Sequence, residues 1–198
     1  MTISHEKVQK MVLAAMLCAI GILIPMYSPL KIMIEPASFT LASHVVLFIG
    51  MFISPAVAGT VAIGTTVGFA LAGFPPVVVV RAATQIVFVV IGALWLKKHP
   101  ESIKKPINSA LFAFVMALIH AVCETIASAF FFFGGGLSVP NYDKGFFVAV
   151  FLLVGVGTVV HSLVDYAIAV AIWVPLSHIE SIEKLSVVGN MTGKKSKE

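Results

Sequence analysis

Seven polar side chains interrupt the long apolar stretches of this chain: His44, Arg81, Gln85, His120, Glu124, His161 and Asp165. In hydrocarbon each ionisable group costs a few kcal/mol unless it is paired or put to use. Arg81 is the only arginine, and Gln85 follows it by four residues, so one helix face carries both. A guanidinium grips a planar carboxylate through parallel N–H bonds. Anion recognition is therefore the favoured role of Arg81, and an ion pair with Glu124 or Glu35 is the alternative. Favouring the first, Glu35 and Glu124 are expected to be occupied by His44 and His120. His120 and Glu124 stand four residues apart, as do His161 and Asp165. Glu124, in the outer half of its span, reads as part of a cavity wall. His161 and Asp165, farther in, read as an intrahelical pair, or a cross-helix pairing, that locks the last two helices together.

Other chemistries find little footing. The donors His-x3-Glu and His-x3-Asp suit zinc or nickel in principle, but the His-Glu-x-x-His pattern of a metalloprotease is missing, and no metal is assigned. There is no Gly-Lys-Ser/Thr phosphate loop and no nucleophile elbow, so neither nucleotide hydrolysis nor any other enzymatic activity is expected, and no cofactor. Cys18 and Cys123 both lie in apolar runs, which supports neither a disulfide framework nor a zinc site.

The elements that position these residues follow from composition. The chain has 198 residues, 59% hydrophobic and 11% charged, with a mean hydropathy of +1.04. Soluble proteins are about 45–50% apolar and about 25% charged. The reading is an all-α integral membrane protein, neither a cytosolic enzyme nor a nucleic-acid binder. Apolar runs near the required length of about 20 residues cover 8–27, 41–53, 56–71, 77–96, 107–133 and 146–174. That makes six transmembrane helices, the second and third short and separated by Ser54-Pro55. Lysines favour the cytoplasmic side. With both termini cytoplasmic, ten of the twelve lysines fall inside, and only Lys31 and Lys144 fall outside. Residues 1–178 form the membrane domain and 179–198 a polar cytoplasmic tail, expected to be disordered from Gly189 on. Small residues at four-residue spacing allow close helix approach. Ala15 and Ala19 make such a step, which recurs at Ala58 and Ala62, Gly64 and Gly68, and Ala167 and Ala171, so spacing alone does not single one out.

Several segments carry a resemblance. They are Ile34-Glu35-Pro36-Ala37-Ser38-Phe39-Thr40-Leu41-Ala42-Ser43-His44, Met51-Phe52-Ile53-Ser54-Pro55, Gly73-Phe74-Pro75 ahead of Arg81, and Gly157-Thr158-Val159-Val160-His161-Ser162-Leu163-Val164-Asp165. With six helices and an Ala-x-x-x-Ala step in the first, the chain resembles the S components, the substrate-binding subunits, of energy-coupling factor vitamin transporters, most closely the niacin type. The resemblance covers residues 8–176. It implies a vitamin binder in the bacterial plasma membrane that captures cargo outside and delivers it inside. Its implied partners are a membrane scaffold subunit (EcfT) and two cytoplasmic ATPases. It places the scaffold contact at Ala15 and Ala19. It places the substrate in the region of Phe39, His44, Arg81, Gln85, Glu124, Asn141 and Tyr142, and His120 adjoins that region. Nicotinate, a flat monoanion, fits a guanidinium, an aromatic face and one further polar group. A stand-alone proton-coupled transporter using His120, Glu124, His161 and Asp165 remains an alternative. So do an uptake subunit for another vitamin or a metal, and an intramembrane enzyme. The small size favours the S component, since one six-helix chain has no second half to rock against.

Overall fold

The computed structural model describes residues 4–34 and 36–191. Glu35, Lys194, Lys195, Lys197 and most of the segment expected to be disordered lie outside the described residues. The first helix, α1 (His5–Tyr27), ends at Ser28-Pro29, where proline disfavours a helical residue before it. Two four-residue strands then form an antiparallel hairpin, β1 (Lys31–Ile34) and β2 (Ala37–Thr40), with Ile32 opposite Phe39. The chain is thus nearly, but not wholly, α-helical. Pro36 in the turn, and the alternation of partners across the strands, favour extended backbone over helix in this segment.

Helix α2 (Val45–Ile53) starts four residues later than the apolar run, because Ala42 adopts a left-handed φ of 68°. All nine residues of α2 are buried. At 1.5 Å per residue it is about 14 Å long, too short to cross about 30 Å of hydrocarbon alone. Ser54 then caps α3 (Pro55–Leu71), its hydroxyl accepting from the Val57 amide at 3.2 Å, with Pro55 in the first turn. Gly73 takes a φ of +76° before α4 (Pro76–Lys98). A 3-10 turn (Pro100–Ile103) leads to α5 (Pro106–Phe133), and the short α6 (Val139–Asp143) follows. A π-helical stretch (Phe147–Val156) then runs without a break into α7 (Gly157–Leu176). Among the described residues, four helical stretches are long and apolar enough to cross a membrane: α1, α4, α5 and Phe147–Leu176, with α3 a shorter apolar helix.

Helix α2 is the axis of the bundle, packed by α1, α3, α4 and α7. In its lower half an aromatic layer fills the interior. Phe48 and Phe52 meet the Tyr166 ring edge-on at 5.2 and 6.3 Å, and Phe52 also contacts Trp173. Helices α1 and α3 approach closely at glycines. A Cβ at Gly64 would lie 2.5 Å from Cys18 Sγ, and one at Gly68 would lie 2.2 Å from Ile22 Cδ1. Ala58 and Ala62 are likewise buried. Ala15, Ala19, Ala167 and Ala171 instead face outward, so tertiary packing separates steps that spacing could not. Past α7, α8 (Glu180–Leu185) brings Leu185 and Val188 back into the core. The Val187 amide donates to the carbonyls of Phe52 and Ile53, both at 3.0 Å. Those carbonyls belong to the last turn of α2 and lack intrahelical partners, so this segment does more than a polar tail requires.

Candidate functional site

Helices α2, α4, α5 and α7 converge beneath the hairpin, and their polar residues meet there. Arg81 is 5% and Glu124 2% exposed. Arg81 Nη2 and Nε both donate to Glu124 Oε2, at 2.7 and 3.3 Å, and Nη1 donates to the Pro36 carbonyl at 2.8 Å. The expectation that His120 would occupy Glu124 and leave Arg81 unpaired is therefore corrected, while Glu35 lies outside the described residues. The guanidinium sits one helix away from Glu124 and outcompetes a neutral imidazole for its charge. Three of the five guanidinium N–H groups are engaged, and one each on Nη1 and Nη2 remains.

Glu124 is the hub. Its Oε2 also accepts from Thr158 Oγ1 at 2.8 Å, and its Oε1 lies 3.5 Å from Gln85 Nε2. His120 Nε2 is 3.2 Å from Oε1, within ion-pair reach, yet too poorly aligned for a hydrogen bond. His120 Nδ1 meets Ser162 Oγ at 2.8 Å, and its ring stacks on Phe88 at 4.3 Å between centroids.

A second cluster lies beside the first. Asp165 Oδ1 and Oδ2 accept from the backbone amides of Ala42 and His44, each at 2.8 Å. Asp165 thereby caps α2 from another helix, and this is what holds the left-handed turn at Ala42 in place. His161 Nε2 and Asp165 Oδ2 form the intrahelical pair that their spacing allowed, at 3.4 Å, and Asp165 also locks α7 to the start of α2. The contacts joining α5 to α7 are His120 to Ser162, Thr158 to Glu124 and Ser109 to Tyr166. His44 lies between the clusters. Its Nε2 accepts from Gln85 Nε2 at 3.0 Å, and its Nδ1 is 3.3 Å from Asp165 Oδ2 without hydrogen-bond alignment. His161 Nε2 pairs with Ser43 Oγ at 3.1 Å.

Between these groups and the hairpin is a cavity of about 50 Å³, bordered by Phe39, His44, Arg81, Gln85, Glu124 and His161, among others. It has room for a few waters and is well below the roughly 300 Å³ of a typical ligand pocket. A ring-sized ligand thus needs more room than this cavity offers. Phe39 leans on Gly157, where a Cβ would meet its Cζ at 2.5 Å.

Of the residues expected at the site, Phe39, His44, Arg81, Gln85 and Glu124 line this cavity, and His120 stands directly behind Glu124. Asn141 does not. It borders a separate pocket on the far side of the hairpin with Pro36 and Ser138. Tyr142 does not either. Its hydroxyl accepts from the Leu137 amide at 3.1 Å and its ring packs on Phe132. Both brace the loop between α5 and α7. Thr158 and Ser43 were not singled out in the sequence. Thr158 had a visible signal, since Thr158, His161, Ser162 and Asp165 recur at helical spacing on one face.

The triads His44–His161–Asp165 and His44–His120–Glu124 are each compact enough to hold a metal ion. Their carboxylates are committed elsewhere, however: Asp165 to two backbone amides and Glu124 to a guanidinium. A cation at either place would have to displace those bonds, so the donor sets fit a metal poorly.

No family model matches the chain, and no solved structure matches it significantly. The chain is similar to the niacin transporter NiaX of Lactococcus lactis subsp. cremoris (strain MG1363), with 37% identity over 189 residues, 96% of this chain and 84% of that protein. A likeness of this length, on a bundle of apolar helices with one buried polar cavity, describes a multi-pass membrane transport protein and not an enzyme. The chain belongs to the family that this transporter represents, the niacin-type S components.

Proposed function

We propose that this protein is the substrate-capturing subunit of an energy-coupling factor importer in the cell membrane, and that its cargo is nicotinate. The observation that carries the cargo is Arg81, a buried guanidinium with two N–H groups unspent, at the wall of a cavity that also holds the Phe39 ring. A monoanionic ring acid supplies the carboxylate for those donors and a flat face for Phe39. The name of the relative points to the same cargo. Nicotinamide has the same ring without the charge, so it leaves the cationic site unmatched.

In this reading both termini are cytoplasmic and the chain crosses six times. The hairpin and the turn at 41–44 carry it down from the outer surface, so the short α2 completes the second crossing. Irregular backbone at that depth is tolerated because it lines a cavity and Asp165 satisfies its amides. The exposed Ala15 and Ala19 form the face for the scaffold subunit EcfT, which works with two ATPases. A stand-alone proton-coupled carrier is less favoured. The polar cluster stops at Asp165, and the aromatic layer of Phe48, Phe52, Tyr166 and Trp173 lies beyond it.

Calorimetry on detergent-purified protein tests the cargo. Nicotinate is expected to bind and nicotinamide to bind far more weakly. A charge-assisted contact is worth about 1.5–3 kcal/mol, roughly a 10- to 150-fold change in affinity, so Arg81→Lys weakens nicotinate binding and Arg81→Ala removes most of it. Wild-type nicotinate affinity in a folded Arg81→Ala variant overturns the assignment.

A further inference from the structure

The charge of the Arg81–Glu124 pair is already balanced, because Glu124 neutralises Arg81. Resting on the nicotinate reading above, we propose that capture of the carboxylate is coupled to uptake of one proton from solvent by His120. A carboxylate that takes hold of Arg81 competes with Glu124 for it. Two carboxylates would then share one guanidinium in a site shielded from water, and an uncompensated buried charge is strongly unfavourable. One added proton restores the balance.

The surroundings of His120 suit it to carry that proton. Its Nε2 faces Glu124 Oε1 at 3.2 Å, so an imidazolium there pairs with the carboxylate that must share Arg81 with the ligand. Its Nδ1 meets the Ser162 hydroxyl at 2.8 Å. A hydroxyl donates to a bare ring nitrogen or accepts from a protonated one, so this contact survives the change of state. The ring lies flat on Phe88, 4.3 Å between centroids and 23° from parallel, and an aromatic face favours a cation. His120 Nε2 is fully buried without an aligned partner, which a charged ring would not tolerate.

The other groups facing this pair are accounted for. From α4 come Arg81 and Gln85, and from α2 comes His44, whose ring meets His120 edge-on at 4.8 Å. From α7 come Thr158, bonded to Glu124, and Ser162. His161 lies beyond His44, at 4.8 Å from it, and contacts Ser43 and Asp165. Asp165 is held by two backbone amides. Only His120 combines a carboxylate, a reversible hydroxyl and a stacked ring.

Nicotinate binding is measured by calorimetry in buffers of differing ionisation enthalpy, which reports protons exchanged per ligand, and again as Kd from about pH 6 to about pH 8. The expected result is about one proton taken up, with Kd rising by up to about tenfold per pH unit as pH increases. In His120→Gln the proton uptake disappears and the pH dependence flattens, with weaker binding. Binding without proton uptake and with a flat pH profile overturns the coupling while leaving the nicotinate reading intact. Retained uptake in His120→Gln overturns the assignment to His120. Should that variant not fold, the wild-type series alone decides the coupling. No nicotinate binding by folded wild type removes the nicotinate reading and this proposal together.

Discussion

Arg81 and Glu124 meet across the α4–α5 contact through two N–H bonds to a single oxygen, Oε2, while the other carboxylate oxygen turns toward Gln85 and His120. The pair is at once a structural tie and the floor of the cavity. Removing one partner of a buried pair leaves an uncompensated charge and costs about 3–5 kcal/mol, whereas replacing both with apolar groups is often neutral. Arg81→Met and Glu124→Leu, made singly, are therefore expected to lower the unfolding temperature in detergent, and the double variant to recover most of it. Nicotinate binding is lost in Arg81→Met and in the double variant. A double variant as unstable as the singles would mean that the pair's hydrogen bonds to Pro36 and Thr158, and not its charge balance, dominate stability.

Asp165 acts on α2 through backbone amides, not through a ligand. Asp165→Ala strips acceptors from the Ala42 and His44 amides, and an unsatisfied buried group costs about 1–3 kcal/mol. Asp165→Asn keeps one acceptor oxygen and is expected to lose less. Both variants should weaken nicotinate binding by displacing His44. Thermal unfolding and calorimetry on the same samples check this, and an unchanged unfolding temperature in Asp165→Ala would refute the capping role.

The proposed coupling to the scaffold is tested at Ala15 and Ala19, which face away from the bundle. Ala15→Leu or Ala19→Leu is expected to reduce cellular nicotinate uptake severalfold or more, because the bulkier face holds a partner helix at a distance. Binding by the isolated protein should stay within about twofold of wild type, since neither side chain packs inside. Parallel loss of binding and uptake would assign the face to the bundle itself.

Topology is checked by labelling. A cysteine at Lys104, exposed after the 3-10 turn, is expected to react only with reagent admitted to the cytoplasm, and one at the exposed Ser138 only with external reagent. These tests are done in a background where Cys18 and Cys123 are replaced by serine or alanine. The reverse pattern would place the cavity on the opposite membrane face and end the reading of outside capture.

The amino-acid sequence by itself determined the membrane class, the approximate places of the apolar helices and the short list of buried polar residues. These are legible because hydrophobic run length is a local quantity, and because ionisable groups inside such runs stand out against it. It also showed that His120 and Glu124 share a face, since four-residue spacing is a property of one helix. Partners on different helices were not legible. Arg81 and Glu124 are 43 residues apart, and Asp165 and Ala42 are 123 apart. Which carboxylate each cation finds depends on how the helices pack, and several pairings satisfied the sequence equally well. The hairpin, the late start of α2 and the return of Val188 to the core were hidden for the same reason. The turn at Ala42 is held by a carboxylate from α7, and the end of α2 is closed by an amide from beyond α8. Tertiary packing alone decided these, because a buried backbone group takes whichever partner the assembled bundle brings within reach.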